Sequence, residues 1–359
     1  GGTGSPVVKD IAGNALASTY VFSFTTLAST PPPPSEGPGG PILVISAASN
    51  PFSRYPVEIL RAEGFNNFFA TDISAVTPTL LNNYDVVVLG EIPLSAQNVT
   101  DLTNWTNAGG TLVALKPDAQ LNTLLGLTAV AGSLSNGYLL VNTASGPGVG
   151  IVNQTIQFHG TSNLYTLSGA TSLATLYSSA TTATSNPAVS SRAVGANGGM
   201  AVAFAYDLAK SVVYTRQGNP AQAGQKLDGS TGPIRSDDLF YPSWINFSKV
   251  AIPQADEQQH LLSNIIAKYT LDRKPLPRFW FLPKGLKAAV VMTGDDHAVA
   301  GPSTVNRFNQ YKSLSADNSP TGVADWNAIR GTSYIFPGTP ITDAQTSAFQ
   351  ADGFEIGLH

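Results

Sequence analysis

Residues 42–46 read ILVIS. Four branched apolar residues and a serine run on without polar alternation, which suits a short strand buried on both faces of a parallel sheet. Reading onward, Pro56 fits the first position of a helix that carries Val57 and Leu60 and ends at Gly64. FFATD (68–72), a short helix in TPTLLNNY and a strand in DVVVLGE (85–91) follow. Ser95 is a fair N-cap for a helix with Val99, Leu102 and Trp105 at spacing three, closed by Gly109 and Gly110. TLVALKP (111–117) is another strand. Strands alternating with helices predict a parallel sheet with helices on both faces.

The rhythm breaks over residues 128–197, which are rich in Ser, Thr, Gly and Asn with short runs such as GYLLV and YTL. They read as a β-rich insertion. GGMAVAFAYDLAKSVVY (198–214) returns to an apolar strand that leads into Asp207. QADEQQHLLSNIIAKYTL (254–271) sets Leu261, Leu262, Ile265 and Ile266 on one helix face. Asp118 and Asp207 sit at strand ends, where they either line a pocket or cap the next helix.

Composition narrows the function classes. The 359-residue chain is 42% hydrophobic but only 12% charged, about half the usual share, with a net charge of −4. No Lys/Arg cluster offers the basic face that nucleic acid demands. The absence of cysteine excludes disulfides and thiolate metal sites. No apolar run is long enough to span a membrane. By composition alone, a low-charge, Thr/Asn-rich, cysteine-free chain resembles a secreted or cell-surface bacterial protein. Four N-x-S/T sequons, at Asn98, Asn104, Asn153 and Asn246, are frequent by chance in such a composition. The start GGTGSPVV carries neither Met nor a basic segment, and the chain is expected to be a piece of a longer product.

Residues 6–26 alternate as two strands around a turn, with Tyr20, Phe22 and Phe24 on one face. Two strands hold no core alone. STPPPPSEGPGGP (29–41) is a linker, stiff and then flexible. PLPRFWFLP (275–283) is a second connector.

The C-terminal stretch holds the chemistry. In KAAVVMTGDDHAVAG (287–301), Ala288–Met292 reads as a buried strand with Asp295 and Asp296 just beyond its end. A helix with Val305, Phe308, Tyr311 and Leu314 follows, then a strand in TSYIFPG (332–338). A capping box at Thr342 and Gln345 opens another helix, and FEIGLH (354–359) is a third strand. Three parallel strand ends would bring Asp295, Asp296 and His359 to one face. Carboxylate and imidazole are sound ligands for zinc or a similar divalent ion, and a second carboxylate can act as general base. The alternative is that the aspartates cap the following helix.

Three resemblances attach to these residues. D-x-A-G-N-x-L…Y-x-F-x-F-T-T in residues 10–26 resembles the end of bacterial Ig-like domains of surface-layer proteins. The element order of residues 42–274 resembles the class I glutamine amidotransferase-like superfamily, with Asp118 or Ala119 about where its cysteine nucleophile would stand. With no thiol for His159 or His260 to activate, that domain is expected to be noncatalytic. TGDDH (293–297) and GFEIGLH (353–359) resemble the first two motifs of the polysaccharide deacetylase family. That match implies Asp295 as catalytic base, Asp296 and His359 as ligands of zinc or another divalent metal ion, and His297, where the family has glycine, as a further metal candidate.

The expected fold class is therefore a multidomain α/β chain: a flavodoxin-like parallel sheet with a β-rich insertion, part of a distorted (β/α) barrel, and an N-terminal β-hairpin from an Ig-like sandwich. The expected boundaries are 1–28, linker 29–41, 42–274, connector 275–284 and 285–359. The implied function is an exported, metal-dependent carbohydrate deacetylase-like hydrolase acting on a carbohydrate polymer or cell-wall glycan, with this chain inactive alone. The alternative is a noncatalytic cell-surface or filament protein that self-associates through its N-terminal strands.

Overall fold

A computed structural model describes residues 39–232, 234–271, 275–279, 289–296, 301–336 and 338–359. The hairpin expected at residues 6–26, most of the linker before residue 42 and His297 lie outside the described residues. The chain divides into two compact units, Gly1–Phe279 and Trp280–His359.

The first unit runs β1 (Ile42–Ser46), α1 (Pro56–Ala62), β2 (Phe68–Asp72), α2 (Pro78–Leu81), β3 (Val86–Leu89), α3 (Ala96–Asn107), β4 (Thr111–Leu115) and α4 (Asn122–Leu125). The Ser/Thr-rich stretch then supplies β5 (Leu127–Ser135), β6 (Tyr138–Val141), β7 (Ile156–Gln157), β8 (Thr161–Leu167), β9 (Thr171–Tyr177) and β10 (Ala183–Val194). β11 (Gly199–Phe204), α5 (Leu208–Gln217) and α6 (Gln254–Thr270) complete it. Nine strands form one sheet in the order β2-β1-β3-β4-β11-β10-β9-β6-β7. The half from β2 to β11 is parallel and the half from β10 to β7 antiparallel. β5 and β8 pair separately.

The unbroken apolar runs explain the layers. All five residues of β1 are buried. Ile42 and Val44 join Val86, Val88, Val113 and Leu115 in a core completed by α1 and α6. Leu43 and Ile45 join Val87, Leu89, Leu112 and Ala114 in a second core, closed by Leu102 and Trp105 of α3. Alternate residues thus bury against opposite layers, as a sheet covered on both faces requires. Ser95 and Asn98 form a capping box at the start of α3.

The second unit runs β12 (Thr293–Asp296), α7 (Ser303–Leu314), α8 (Pro320–Ala324), β13 (Thr332–Ile335), α9 (Asp343–Ala351) and β14 (Glu355–Leu358). Its three strands are parallel, in chain order. Phe308, Phe349 and Phe354 form its core, with Phe308 stacked on Phe354 at 4.3 Å. The buried strand expected at Ala288–Met292 is corrected: the strand is TGDD itself, and Val290 and Val291 are 80% and 83% exposed. β12 is an edge strand of this three-stranded sheet. The structure as a whole is mixed α/β with a large sheet whose larger part is parallel.

Candidate functional site

Alternation decides what the strand ends present. Along β12, Asp295 and Asp296 are adjacent and so face opposite sides of the sheet. Asp296 is buried, and its Oδ2 accepts from the Thr304 backbone N–H at 2.9 Å and from the Thr304 hydroxyl at 2.6 Å. Thr304 Oγ1 lies 2.8 Å from Ser333 Oγ, and the Arg307 guanidinium donates to Ser333 Oγ at 2.6 Å and to the Gly294 carbonyl at 3.2 Å. Asp296 therefore satisfies donors in the first turn of α7 and ties that helix to β12 and β13. Asp296 thus makes the helix-capping contacts that were the alternative reading of the pair.

Asp295 lies on the other face. In register it neighbours Tyr334 of β13, which neighbours Gly357 of β14. A Cβ at Gly357 would stand 3.1 Å from the Tyr334 ring, so the missing side chain gives that ring its room. One step on, Phe336 stacks on His359 at 4.3 Å between centroids, 26° from parallel. His359 Nε2 then reaches Asp295 Oδ2 at 3.2 Å. Both side chains remain open to water, 34% for His359 and 50% for Asp295. This face thus carries a carboxylate–imidazole pair framed by two aromatic rings.

The pair also has the spacing of two donors sharing one divalent ion at about 2.0–2.2 Å from each. Among the described residues, Asp295, Asp296 and His359 do not bring three ligand atoms within 4.8 Å of one another. Among the described residues, the three-residue acidic group whose ligand atoms lie within 4.8 Å of one another is Asp228, Asp237 and Asp238. It is already tied internally: Asp238 accepts from the backbone N–H groups of Leu227, Asp228 and Arg235, and Lys226 Nζ reaches Asp228 at 2.6 Å and Asp238 at 3.2 Å. Desolvation opposes the Asp238 charge, but those donors outweigh it and hold its carboxyl well below the usual range.

The two internal histidines sit in different settings. His159 is buried and stacks on Trp244 at 4.2 Å and 10°. Burial pushes its pKa down to about 4. His260 Nε2 stands 3.4 Å from Glu63 Oε1, while Arg278 and Ser263 hold Glu63 Oε2 at 2.8 and 2.9 Å. Desolvation raises the Glu63 pKa despite these partners. Asp118 and Asp207 both cap, accepting from the backbone N–H groups of Gln120 and Lys210.

Tyr334 and Phe336 went unnoticed in the sequence. Period-2 counting back from His359 and Phe336 once β13 and β14 are placed would have found them, since Thr332, Tyr334 and Phe336 share a face.

No protein-family model matches the chain, and no curated protein does. Solved structures that resemble it include the cold-adapted β-galactosidase of Rahnella sp. R3, at 18% identity over 46% of this chain and 28% of that one, TM-score 0.38. Others are an exo-β-1,4-mannosidase of an Opitutaceae bacterium, at 14% over 50% and 33%, TM-score 0.37, and α-L-fucosidase isoenzyme 2 of Paenibacillus thiaminolyticus, at 14% over 49% and 30%, TM-score 0.38. The chain spans a third or less of each of these proteins. They are glycosidases, not polysaccharide deacetylases, amidotransferases or Ig-like domains, and the three resemblances, two drawn from short motifs and one from element order, are corrected accordingly. TGDDH is too short to carry a family when its second aspartate is used to hold a helix.

Proposed function

We propose that this chain is part of a carbohydrate-acting hydrolase whose reacting centre is the Asp295–His359 pair. The observation that carries the reading is the 3.2 Å contact between Asp295 Oδ2 and His359 Nε2 on a water-accessible sheet face. Asp295 is the base: its carboxylate accepts a proton from a water held at the pair. His359 orients that carboxylate through Nε2–H and, when protonated, donates toward the oxygen on which negative charge develops. Phe336 restricts the imidazole to the plane that meets Asp295, and the Tyr334 and Phe336 rings suit the apolar face of a sugar. A divalent ion bound between Asp295 and His359 would lower the pKa of a coordinated water. The low-charge, Thr/Asn-rich composition fits an exported setting for such an enzyme.

The test is reducing-end release by the full chain from a panel of xylan, chitooligosaccharides, galactan and peptidoglycan fragments, with and without added Zn²⁺. Turnover of one glycan is expected, with Asp295→Asn and His359→Gln each slower by about 100-fold or more. Wild-type rates in both variants, or no turnover of any glycan under either condition, would sink the proposal.

A further inference from the structure

The first unit has a cavity of about 500 Å³ lined by Asn50, Glu91, Ile92, Lys116, Asp118 and Asn163, among others. It opens beyond the C-terminal ends of β1, β3 and β4, the edge at which open α/β sheets take their ligands. We propose that this cavity binds a neutral monosaccharide or the terminal sugar of a glycan. The site belongs to the first unit and does not rest on the Asp295–His359 reading.

Lys116 follows β4 directly and has φ of 45°, the left-handed region that a residue with a Cβ enters at a cost of about 1 kcal/mol. Its backbone N–H is fastened to the Phe204 carbonyl of β11 at 2.8 Å. Glycine would fill this turn without strain, so the lysine is kept there for its side chain, which spans to Glu91 beyond β3 at 2.7 Å. The other polar groups are equally set in place. Asp118 accepts from the Leu94 backbone N–H at 3.0 Å through one oxygen and from Gln120 N–H at 2.9 Å through the other. The Asn50 amide donates to the Glu91 carbonyl at 3.0 Å and to the buried Asp207 at 3.2 Å.

These groups are pre-organised and retain hydrogen-bonding capacity. An ammonium has three hydrogens, of which Glu91 takes one; each carboxylate offers roughly four lone-pair sites. Two carboxylates against one ammonium disfavour a phosphate or carboxylate ligand. Ile92 and the flanking prolines Pro93 and Pro117 add a small apolar wall. A vicinal diol answers this set: it donates two O–H groups to the carboxylates, accepts from the ammonium and lays C–H groups on the wall. The volume lies within the range of small-molecule pockets.

The test is calorimetric titration of the full chain with glucose, galactose, mannose and N-acetylglucosamine, with inorganic phosphate and putrescine as charged competitors. One neutral sugar is expected to saturate, with Glu91→Gln and Lys116→Asn each weakening it about tenfold or more. Asparagine tolerates the left-handed backbone, and thermal unfolding of each variant is expected to match wild type. Asp295→Asn is expected to bind like wild type. The inference is overturned if no sugar saturates by about 50 mM, if phosphate or putrescine binds instead, or if both variants bind as wild type does.

Discussion

One oxygen of Asp296 receives both the backbone N–H and the hydroxyl of Thr304, at 2.9 and 2.6 Å. The second aspartate of the pair is thereby a joint between strand and helix, while Asp295, its neighbour in sequence, faces water and His359.

Replacing Asp296 by alanine takes the acceptor from the buried Thr304 N–H and is expected to cost about 1–3 kcal/mol of stability. Asp296→Asn keeps one acceptor and is expected to cost less. Asp295→Asn, on the exposed face, is expected to leave stability within about 0.5 kcal/mol. Urea unfolding of the three variants checks the order, and equal losses at Asp295 and Asp296 would contradict the division of roles.

His159 makes stability pH-dependent. Its pKa is about 4 in the folded chain and 6.5 in the unfolded reference, because burial against Trp244 disfavours the cation. The unfolded chain therefore binds the extra proton first. Stability is unaffected above the unfolded value, falls as pH drops from 6.5 toward 4, and the loss levels off below that at about 3 kcal/mol. His159→Phe keeps a ring against Trp244 and removes the titration. Denaturant midpoints of wild type and variant are expected to diverge across this window, and parallel curves would refute the assignment.

Arg278 holds residues 275–279 to the first unit: its guanidinium donates to the Glu63 carbonyl and carboxylate, both at 2.8 Å. The Phe279 N–H adds a bond to the Gly64 carbonyl at 2.8 Å. Arg278→Ala strips the buried Glu63 of this partner and is expected to cost about 2 kcal/mol. It is also expected to speed limited proteolysis within residues 275–279. A cleavage rate equal to that of wild type would show that the anchor does not hold this segment.

Much of the first unit was legible in the residues. ILVIS, FFATD and TLVALKP became strands where their apolar runs placed them, the N-cap at Ser95 opens its helix, and in the second unit the capping box at Thr342 opens another. These are local events, set by side-chain period and by the orphan donors of a helix start. In the second unit the local signal misled. AAVVM has the composition of a buried strand, but Val290 and Val291 stand in water and the ladder begins at Thr293. That shift moved both aspartates from a loop, where they could face together, into a strand, where they cannot.

The sequence by itself determined the alternation of strand and helix and the absence of any thiol, because period and residue chemistry need no partner. Only the tertiary structure decided which carboxylate lies beside which imidazole. The Asp295–His359 contact and the Lys116–Glu91 bridge each join segments from separate strands, and strand pairing with its two-residue period sets which side chains can meet.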